Sequence, residues 1–355
     1  MTRSNNIFKL VCFIAVMMLS LVGCERRPLE DPSEYVEIKV KINIKTVSNV
    51  TVDVYNKNIP LPDLNTDMMR VLVYDPVTKK LLTQSFIQGK SYDEDGSPVL
   101  TGTLNIAYGN YDILVYNWDT PETKVTSESD EDAIYAYTEE IPAAQKALYA
   151  GRTKADDGTY DLTKLDMHYE PDHLLVAREH NVRISPHDKL LVISTEARTV
   201  IDSYYIQIHV EGMQYASSAM AVISGLSPSN HIGLNERDED PVIAEGFEMI
   251  KSTDPNLPGE NKDVLCAIFN TFGKIPEANS DLLVTFNVID VAGNLQQFQT
   301  SLNEVFRSEN AIQHHWLLVE DTWVIDNPLP DVNPTNGGFQ PSVDDWEEEY
   351  GEIIL

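Results

Sequence analysis

Strict alternation of apolar and polar residues near the start of the chain constrains its fold more than any other feature of the sequence. In the stretch YVEIKVKINIKTV, at residues 35–47, every second residue is β-branched and apolar, and the residues between are mostly charged. Successive side chains of a β-strand point to opposite faces, so this period gives one buried face and one face in water. The stretch therefore predicts a strand against a hydrophobic core. Its apolar row is Val36, Ile38, Val40, Ile42 and Ile44.

Comparable runs recur along the chain and are separated by turn-forming residues. They predict strands at residues 50–54, 70–75, 81–87, 100–106, 111–118, 190–195, 204–210, 264–269, 282–288, 295–300 and 315–325. Aspartate, glycine and asparagine at 75–80, 108–111 and 291–294 predict hairpin turns. Helical patterns cover only 141–151 and 301–310. Short strands at this spacing predict a mainly β fold with two tandem antiparallel β-sandwich domains and minor helix.

Length and composition predict the domain organisation. A chain of 355 residues exceeds what one hydrophobic core usually supports. We predict an N-terminal domain over 35–190 and a C-terminal domain over 191–325, because the strand pattern restarts after Pro186. Proline and glycine are then frequent in a linker that opens the segment 326–355, which ends in acidic, aromatic and aliphatic residues. We expect the apolar side chains of this end to dock onto another surface.

The start of the chain has the pattern of a secretory signal. Arg3 and Lys9 supply positive charge, and the apolar run at 10–22 follows them. A helix needs about 20 apolar residues to cross a hydrocarbon layer, so this run is too short to be a membrane anchor. We predict that residues 1–23 are a signal peptide that is removed.

The last residues of that segment, LVGC at 21–24, resemble the bacterial lipobox, in which cleavage before the cysteine leaves an acylated amino end. The resemblance implies a lipidated linker over 24–34 and attachment to outer-membrane lipid through Cys24. Acyl chains contribute roughly 0.8 kcal/mol per buried methylene, so several chains on one residue hold a protein firmly to a bilayer. The alternative is an ordinary cleaved signal in which Cys24 is a buried thiol.

The cysteine count agrees with lipidation. The chain contains only Cys12, Cys24 and Cys266, so cleavage of the signal and acylation leave Cys266 with no partner for an internal disulfide. Cys266 has apolar neighbours and no adjacent histidine or basic residue that would lower its pKa. We predict that it is a small core residue rather than a nucleophile.

The charge and the motif content exclude several functions. The formal net charge is −30 at pH 7, which makes nucleic acid an unfavourable partner. The sequence has no nucleophile elbow, P-loop, zinc-binding HExxH motif or CxxC motif. We therefore predict a non-catalytic protein without a cofactor or a bound metal.

Two groups of residues leave a metal site open as an alternative. His168, His173 and His180 lie near carboxylates, which is chemistry that suits zinc, but their spacing fits no compact zinc motif. Acidic turns at 92–98 and 155–161 carry oxygen ligands that suit calcium, but neither has the closing glutamate of a calcium loop. We interpret both groups as surface loops.

The order of the parts resembles the fimbrillin-like lipoproteins of the Bacteroidales, the type V pilus superfamily. The residues that carry the resemblance are LVGC at 21–24, the strand at 35–46, YGNYDILVYNW at 108–118, and the acidic tryptophan-containing tail at 342–355. The resemblance implies transthyretin-like or fimbrillin-like β-sandwiches. It also implies a cell-surface protein of the fimbrium that acts in adhesion and contacts other fimbrial subunits.

In stalk subunits of that superfamily, a protease cuts after an arginine and removes the first strand, and a neighbour's C-terminal strand fills the groove by β-augmentation. The resemblance implies that the row from Val36 to Ile44 is the strand-exchange segment. It also implies a C-terminal docking segment. The candidate plugs of that segment are Phe339, Val343, Trp346, Tyr350 and Ile353. Their spacing also fits an amphipathic helix, which is the alternative.

The arginine positions distinguish the roles in the superfamily. No arginine lies between Arg27 and Arg70, so the first strand is not followed by a nearby cleavage site. Anchor subunits keep both the lipid and the first strand. We therefore expect an anchor or accessory subunit rather than a polymerising stalk subunit.

A glycan-binding surface lipoprotein of a polysaccharide-uptake system is the competing class. It would need an exposed aromatic platform. The candidate residues are Trp118, Tyr135, Tyr137 and Tyr149, for which packing in the core is the alternative interpretation.

Overall fold

The computed structural model of the protein describes residues 38–46, 51–62, 64, 66–94, 96–150, 166–185, 191–276 and 282–328. These residues form twenty strands and three α-helices, so the predicted mainly β fold is confirmed. The strands are β1 Ile38–Thr46, β2 Met69–Tyr74, β3 Leu81–Ile87, β4 Gly89–Tyr92, β5 Pro98–Ile106, β6 Gly109–Asn117, β7 Lys124–Thr126, β8 Tyr135–Tyr137, β9 Met167–His168, β10 Leu175–Ile184, β11 Leu191–Thr199, β12 Asp202–Glu211, β13 Ala216–Leu226, β14 Ser229–His231, β15 Glu236–Arg237, β16 Ile243–Thr253, β17 Asp263–Thr271, β18 Leu283–Asp290, β19 Leu295–Ser301 and β20 Trp316–Val324. The helices are α1 Ala143–Ala150, α2 Asn303–Arg307 and α3 Glu309–His314.

The first sheet has eight strands in the order β3-β2-β6-β10-β11-β1-β5-β4. Its two halves meet where β10 pairs with β11 through only two residue pairs, Leu175 with Thr199 and Val176 with Arg198. Side chains from both halves nevertheless form a single hydrophobic cluster, in which Val71 of β2 and Ile44 of β1 are both fully buried. The two halves of the sheet are therefore joined by a short ladder between β10 and β11, and both pack against the same hydrophobic core.

The second sheet has the order β19-β18-β13-β16-β17-β12-β20, with β9 paired to β16. The long strand β16 pairs with β13 through residues 243–249 and with β17 through 250–253, so it belongs to both halves of this sheet. Its side chains reach the core between them. The rings of Phe247 and Phe269 stack there at 4.7 Å with an interplanar angle of 3°.

Among the described strands most pairs are antiparallel, as predicted, and three are parallel. β1 pairs in parallel with β11, β12 with β20, and β9 with β16. A parallel pair requires a long connection between its strands. For β1 with β11 and for β12 with β20, the chain meets this requirement by placing the other strands of the first sheet, or of the β19-to-β20 order of the second, between the two partners.

A small third sheet, in the order β15-β14-β8-β7, takes strands from both halves of the chain. Ser229 and Asn230 of β14 pair with Tyr137 and Ala136 of β8. Beneath this sheet lies a hydrophobic cluster that contains residues of the first sheet and residues of the second half of the chain. Its fully buried members are Leu72, Tyr74, Leu114, Tyr116, Ile134, Ala136, Leu174, Ile201, Ile232 and Phe272.

Two sequence predictions about local structure are wrong. Residues 51–54 form no strand, because Val52 instead packs with Tyr205 and Cys266 of the second sheet. The turn at 108–111 is not a hairpin, because β5 pairs with β1 and β4 whereas β6 pairs with β2 and β10. The hairpins at 75–80 and 291–294 are confirmed by the pairing of β2 with β3 and of β18 with β19.

The strand pairing bears on where the two predicted domains, 35–190 and 191–325, would meet. β11 begins at Leu191 but pairs with β1 and β10 of the first sheet, whereas β12 begins the second sheet at Asp202. The physical reason is that β11 closes the first core, where Ile193 and Ala197 are buried. We propose that any division into two domains falls at residues 200–201.

We expect Phe272→Ala to lower the free energy of unfolding by about 3–5 kcal/mol, because it leaves a cavity where both halves of the chain meet. Chemical denaturation followed by tryptophan fluorescence measures this change. The control is Val77→Ala in the turn between β2 and β3, where the side chain is 86% exposed. We expect the control to change stability by less than about 0.5 kcal/mol. An unchanged stability of the Phe272 variant would contradict the shared core.

Candidate strand-exchange site

The predicted first strand lies inside the first sheet and is paired on both sides. β1 pairs antiparallel with β5 and parallel with β11. Ile42 stands opposite Gly102 on one side and Ile193 on the other. Ile42 and Ile44 are fully buried. Because its backbone is hydrogen-bonded to two neighbours, β1 can leave the sheet only if its hydrogen bonds to both β5 and β11 are broken.

The structure places the predicted strand residues as follows. Ile38 pairs with Ile106, and Val40 pairs with Leu104 and Leu191, so both belong to β1. Val36, Cys24 and the C-terminal docking residues lie outside the described part of the chain. Removal of β1 would leave a groove bordered by two strands with unpaired N–H and C=O groups. That groove is the kind of site that accepts an added strand.

A glycine that sequence patterns did not single out shapes this groove. A Cβ at Gly102 would come within 2.5 Å of Ile87 Cγ1. The bare backbone of β5 at this point therefore lets the buried side chain of Ile87 pack against the strand.

The described chain ends beside the other candidate element, the C-terminal segment. β20 is an edge strand that pairs with β12. The buried residue Ile325 follows β20, and its N–H donates to Glu211 O at 2.8 Å. The N–H of Asp326 donates to Gln296 Oε1 at 2.7 Å, and Gln296 Nε2 donates back to Asp326 O at 3.0 Å. These bonds fix where the chain leaves the second sheet.

The predicted histidine group does not form one site. His168 Nδ1 lies 2.8 Å from Thr138 O, and His173 contacts the hydroxyls of Thr199 and Ser203 at 3.2 and 3.3 Å. Burial lowers the pKa of His173 to about 4, so it is neutral at physiological pH. The first two histidines therefore serve local hydrogen bonding, and His180 lies in a different cluster.

That cluster is an ion-pair network built from four parts of the chain. Lys79 Nζ lies 2.6 Å from Asp112 Oδ2 and 3.0 Å from Glu131 Oε2, and both carboxylates are almost fully buried. His180 Nδ1 lies 3.7 Å from Asp112 and 3.6 Å from Glu131. Sequence patterns missed this network because the partners are distant along the chain.

The described residues contain one group of three or more potential metal ligands that lie within 4.8 Å of one another. It consists of Asp112, Glu131 and His180. Lys79 already supplies a cation between the two carboxylates. The hydrogen bond to Asp112 raises the pKa of Lys79. Burial raises the pKa of Asp112, but its bonds to Lys79 and to the Asn181 N–H more than offset burial and lower that pKa. The geometry is therefore that of a buried salt bridge.

Two further buried acids lie where β9 meets β16. Burial raises the pKa of Glu170 to about 7, and its Oε1 accepts a hydrogen bond from the Asn270 N–H at 2.7 Å. Burial and the nearby Glu170 raise the pKa of Glu245 well above its usual value. Both carboxyl oxygens of Glu245 lack a hydrogen-bond partner within the described residues. The folded state therefore favours neutral acids at this junction.

Cys266 is buried in β17, as predicted, and burial raises the pKa of its thiol. None of the described helices is long and apolar enough to cross a membrane.

Comparison with known proteins identifies the family. The family model for the domain of unknown function DUF5119 matches residues 23–245. The chain belongs to the DUF5119 family.

The similarity of this DUF5119 member to known proteins extends beyond the matched region. A Bacteroides ovatus protein that is provisionally named fimbrium anchoring subunit Fim4B is 21% identical over 356 residues, with 94% of this chain and 93% of that protein covered. A crystal structure from Bacteroides ovatus, provisionally described as an adhesin, superposes with a TM-score of 0.55 at 18% identity. The superposition covers 87% of this chain and 98% of that one. The second similarity shows a shared fold.

We expect Lys79→Met to lower the free energy of unfolding at pH 7 by about 3 kcal/mol, because it leaves two buried carboxylates without a cation. The bond to Lys79 helps to lower the pKa of Asp112, and protonation of the unpaired carboxyls removes the cost in the variant, so the gap between variant and native protein should narrow as the pH is lowered from 7. Urea denaturation at several pH values measures it.

The neighbouring Lys80→Met is the matched control. Lys80 pairs with Asp130 at 2.7 Å on the surface, where its side chain is 63% exposed. A surface pair contributes about 0–1 kcal/mol, so this variant should remain close to the native protein. Equal losses in the two variants would contradict the buried network.

Proposed function

We propose that this protein is a non-catalytic lipoprotein of the cell surface that serves as an anchor or accessory subunit of a fimbrium. The observation that carries the proposal is the end-to-end similarity to the relative named as a fimbrium anchoring subunit. The shared fold with the structure described as an adhesin supports it. The subunit acts in adhesion by joining its strands to those of other fimbrial subunits.

The amino end attaches the subunit to the outer membrane. Residues 1–23 direct export and are removed, and residues 24–34 form a linker that carries the acyl chains, such as palmitate, on Cys24. The apolar run before an LVGC sequence supports this step. The net charge of −30 keeps the exposed body away from anionic head groups.

The first strand stays in place in this subunit. β1 is hydrogen-bonded on both sides and contributes Ile42 and Ile44 to the core. The nearest arginines are Arg27 and Arg70, so a cut after an arginine leaves either the whole strand or a chain that has also lost part of β2. Retention of β1 suits an anchor, which has no need to offer an empty groove.

The C-terminal segment supplies the contact with the next subunit. It follows Asp326, which lies just after the edge strand β20 and is hydrogen-bonded to Gln296 of the other edge strand, β19. Its apolar side chains, spaced along an acidic background, would enter pockets of a partner sheet. These side chains are Phe339, Val343, Trp346, Tyr350 and Ile353.

Labelling of cells with a palmitate analogue tests the anchor. We expect the native protein to be labelled and Cys24→Ala to be unlabelled. Cys266→Ala is the matched control and should keep the label, because the buried thiol of Cys266 is not the acylated group. Mass spectrometry of the purified mature form should find an amino end at Cys24 and peptides of β1. An unlabelled native protein, or a mature form that begins after Arg70, would contradict this part of the proposal.

Substitution in the C-terminal segment tests the subunit contact. We expect the double variant Trp346→Ala and Tyr350→Ala to lose co-purification with the host's fimbrial subunits, because buried aromatic anchors each contribute about 2 kcal/mol at interfaces. Glu348→Gln is the control and should keep the contact. Intact co-purification of the double variant would contradict a docking role for the segment.

A specific observation favours the second candidate function, glycan binding. Trp118 is 44% exposed and shares a cleft with Tyr137. Two residues of the predicted aromatic platform are thus brought together at the surface.

A further inference from the structure

A cleft of about 320 Å³ opens between the end of β6 and the small sheet strands β7 and β8. Three aromatic side chains line it, those of Tyr116, Trp118 and Tyr137. Threonine hydroxyls and Lys124 line the remainder. The volume is at the lower end of the range for small-molecule pockets, and a few polar groups beside an apolar wall are typical of them.

The indole of Trp118 is held in place from outside the cleft. The Arg70 guanidinium lies 4.6 Å from the Trp118 ring centroid and 5.0 Å from that of Phe86. Phe86 meets Trp118 edge to face at 5.5 Å. Neither Arg70 nor Phe86 lines the cleft, whereas Trp118 does. The ring is therefore braced on one side and available on another.

Arg70, which braces the Trp118 ring, is itself held by an ion pair with Glu128. Arg70 Nε and Nη2 each lie 2.5 Å from a carboxylate oxygen of Glu128, and Nη2 also donates to Gln84 Oε1 at 2.7 Å. Arg70 is largely buried, and its contacts to the rings are cation–π interactions that gain strength when desolvated. A braced ring loses little conformational entropy when a ligand stacks on it.

Polar groups stand around the aromatic wall. The side chains of Thr126 and Tyr137 line the cleft together with the indole. Lys124 Nζ pairs with Glu139 at 2.5 Å, and both side chains remain exposed. Hydrogen-bonding side chains therefore line the same cleft as the indole.

The charge of the chain and the cation beside the indole favour a neutral ligand. The chain carries a net charge of −30, which opposes an anionic ligand. The Arg70 guanidinium, which is paired with Glu128, already makes a cation–π contact with the indole, so a cationic ligand would compete with it for the ring. A neutral ring with apolar C–H faces and a perimeter of hydroxyl groups matches both the indole and its polar surroundings.

We propose that the cleft between β6 and β7–β8 binds a neutral pyranose unit of a glycan, with Trp118 as the stacking platform and Tyr137 and Thr126 as hydrogen-bonding partners. The site is separate from the strand-exchange site and from the C-terminal segment. The proposal therefore stands or falls independently of the fimbrial role.

The test is a glycan array of neutral and sialylated oligosaccharides, including maltohexaose, cellohexaose, mannohexaose and N-acetyllactosamine. Titration calorimetry then follows with the neutral glycan that binds best. We expect the native protein to bind a neutral glycan, and Trp118→Ala to weaken its affinity about tenfold or more, as truncation of a central aromatic anchor does. Trp118→Phe should retain part of the affinity because it keeps a ring face.

Tyr92→Ala is the matched control, because Tyr92 is a 69% exposed aromatic residue on the edge strand β4. Its affinity should equal that of the native protein. Thermal unfolding of each variant separates lost binding from lost folding, and Thr126→Val gives a second, less disruptive change in the cleft that should also weaken binding.

Three results would overturn the proposal. They are the absence of binding to any neutral glycan of the array, binding that Trp118→Ala and Thr126→Val leave unchanged in folded protein, and a loss of fimbrial subunit contact in Trp118→Ala while glycan binding persists. The last result would assign the cleft to a protein partner.

Discussion

Backbone hydrogen bonding along both sides of β1 is the interaction on which the first half of the molecule depends. A strand at the edge of a sheet can detach at the cost of one ladder, whereas β1 holds β5 and β11 together and fills the core with Ile42 and Ile44. Only with β1 in place do the two halves of the first sheet enclose one core. Loss of β1 would therefore expose the unpaired N–H and C=O groups of both β5 and β11 at once.

The two large sheets are joined by more than a linker. β8 and β14 pair across the middle of the chain, and the cluster beneath them combines Leu72 and Tyr116 with Ile232 and Phe272. The Lys79 network ties a turn, two strands and a loop of the first half to one another. A force applied between the two large sheets would therefore be borne by packed side chains and backbone pairs rather than by a hinge.

Periodicity predicted the strands that have one wet face, such as β5 and β11, and also the fully buried strand β2. It missed β10, β13 and β16, because β13 is buried on both faces over much of its length and β16 changes partners midway. Alternation also placed a strand at 51–54, where Val52 is buried by Tyr205 rather than by a sheet partner. Sequence patterns identified Trp118 and Tyr137 only as candidate aromatic residues and did not predict the cleft that they line. Its brace, Arg70 with Glu128, comes from residues 58 apart, which no local pattern reveals.

The parallel pairing of β1 with β11 has a kinetic consequence. The two partners lie about 150 residues apart in the chain, so the side of β1 that faces β11 stays unpaired until most of the first half has formed, whereas the other side can pair earlier with β5. During that interval one side of the alternating apolar segment has unpaired N–H and C=O groups. Slow folding is the expected result, and it falls on the segment that later becomes the most firmly held.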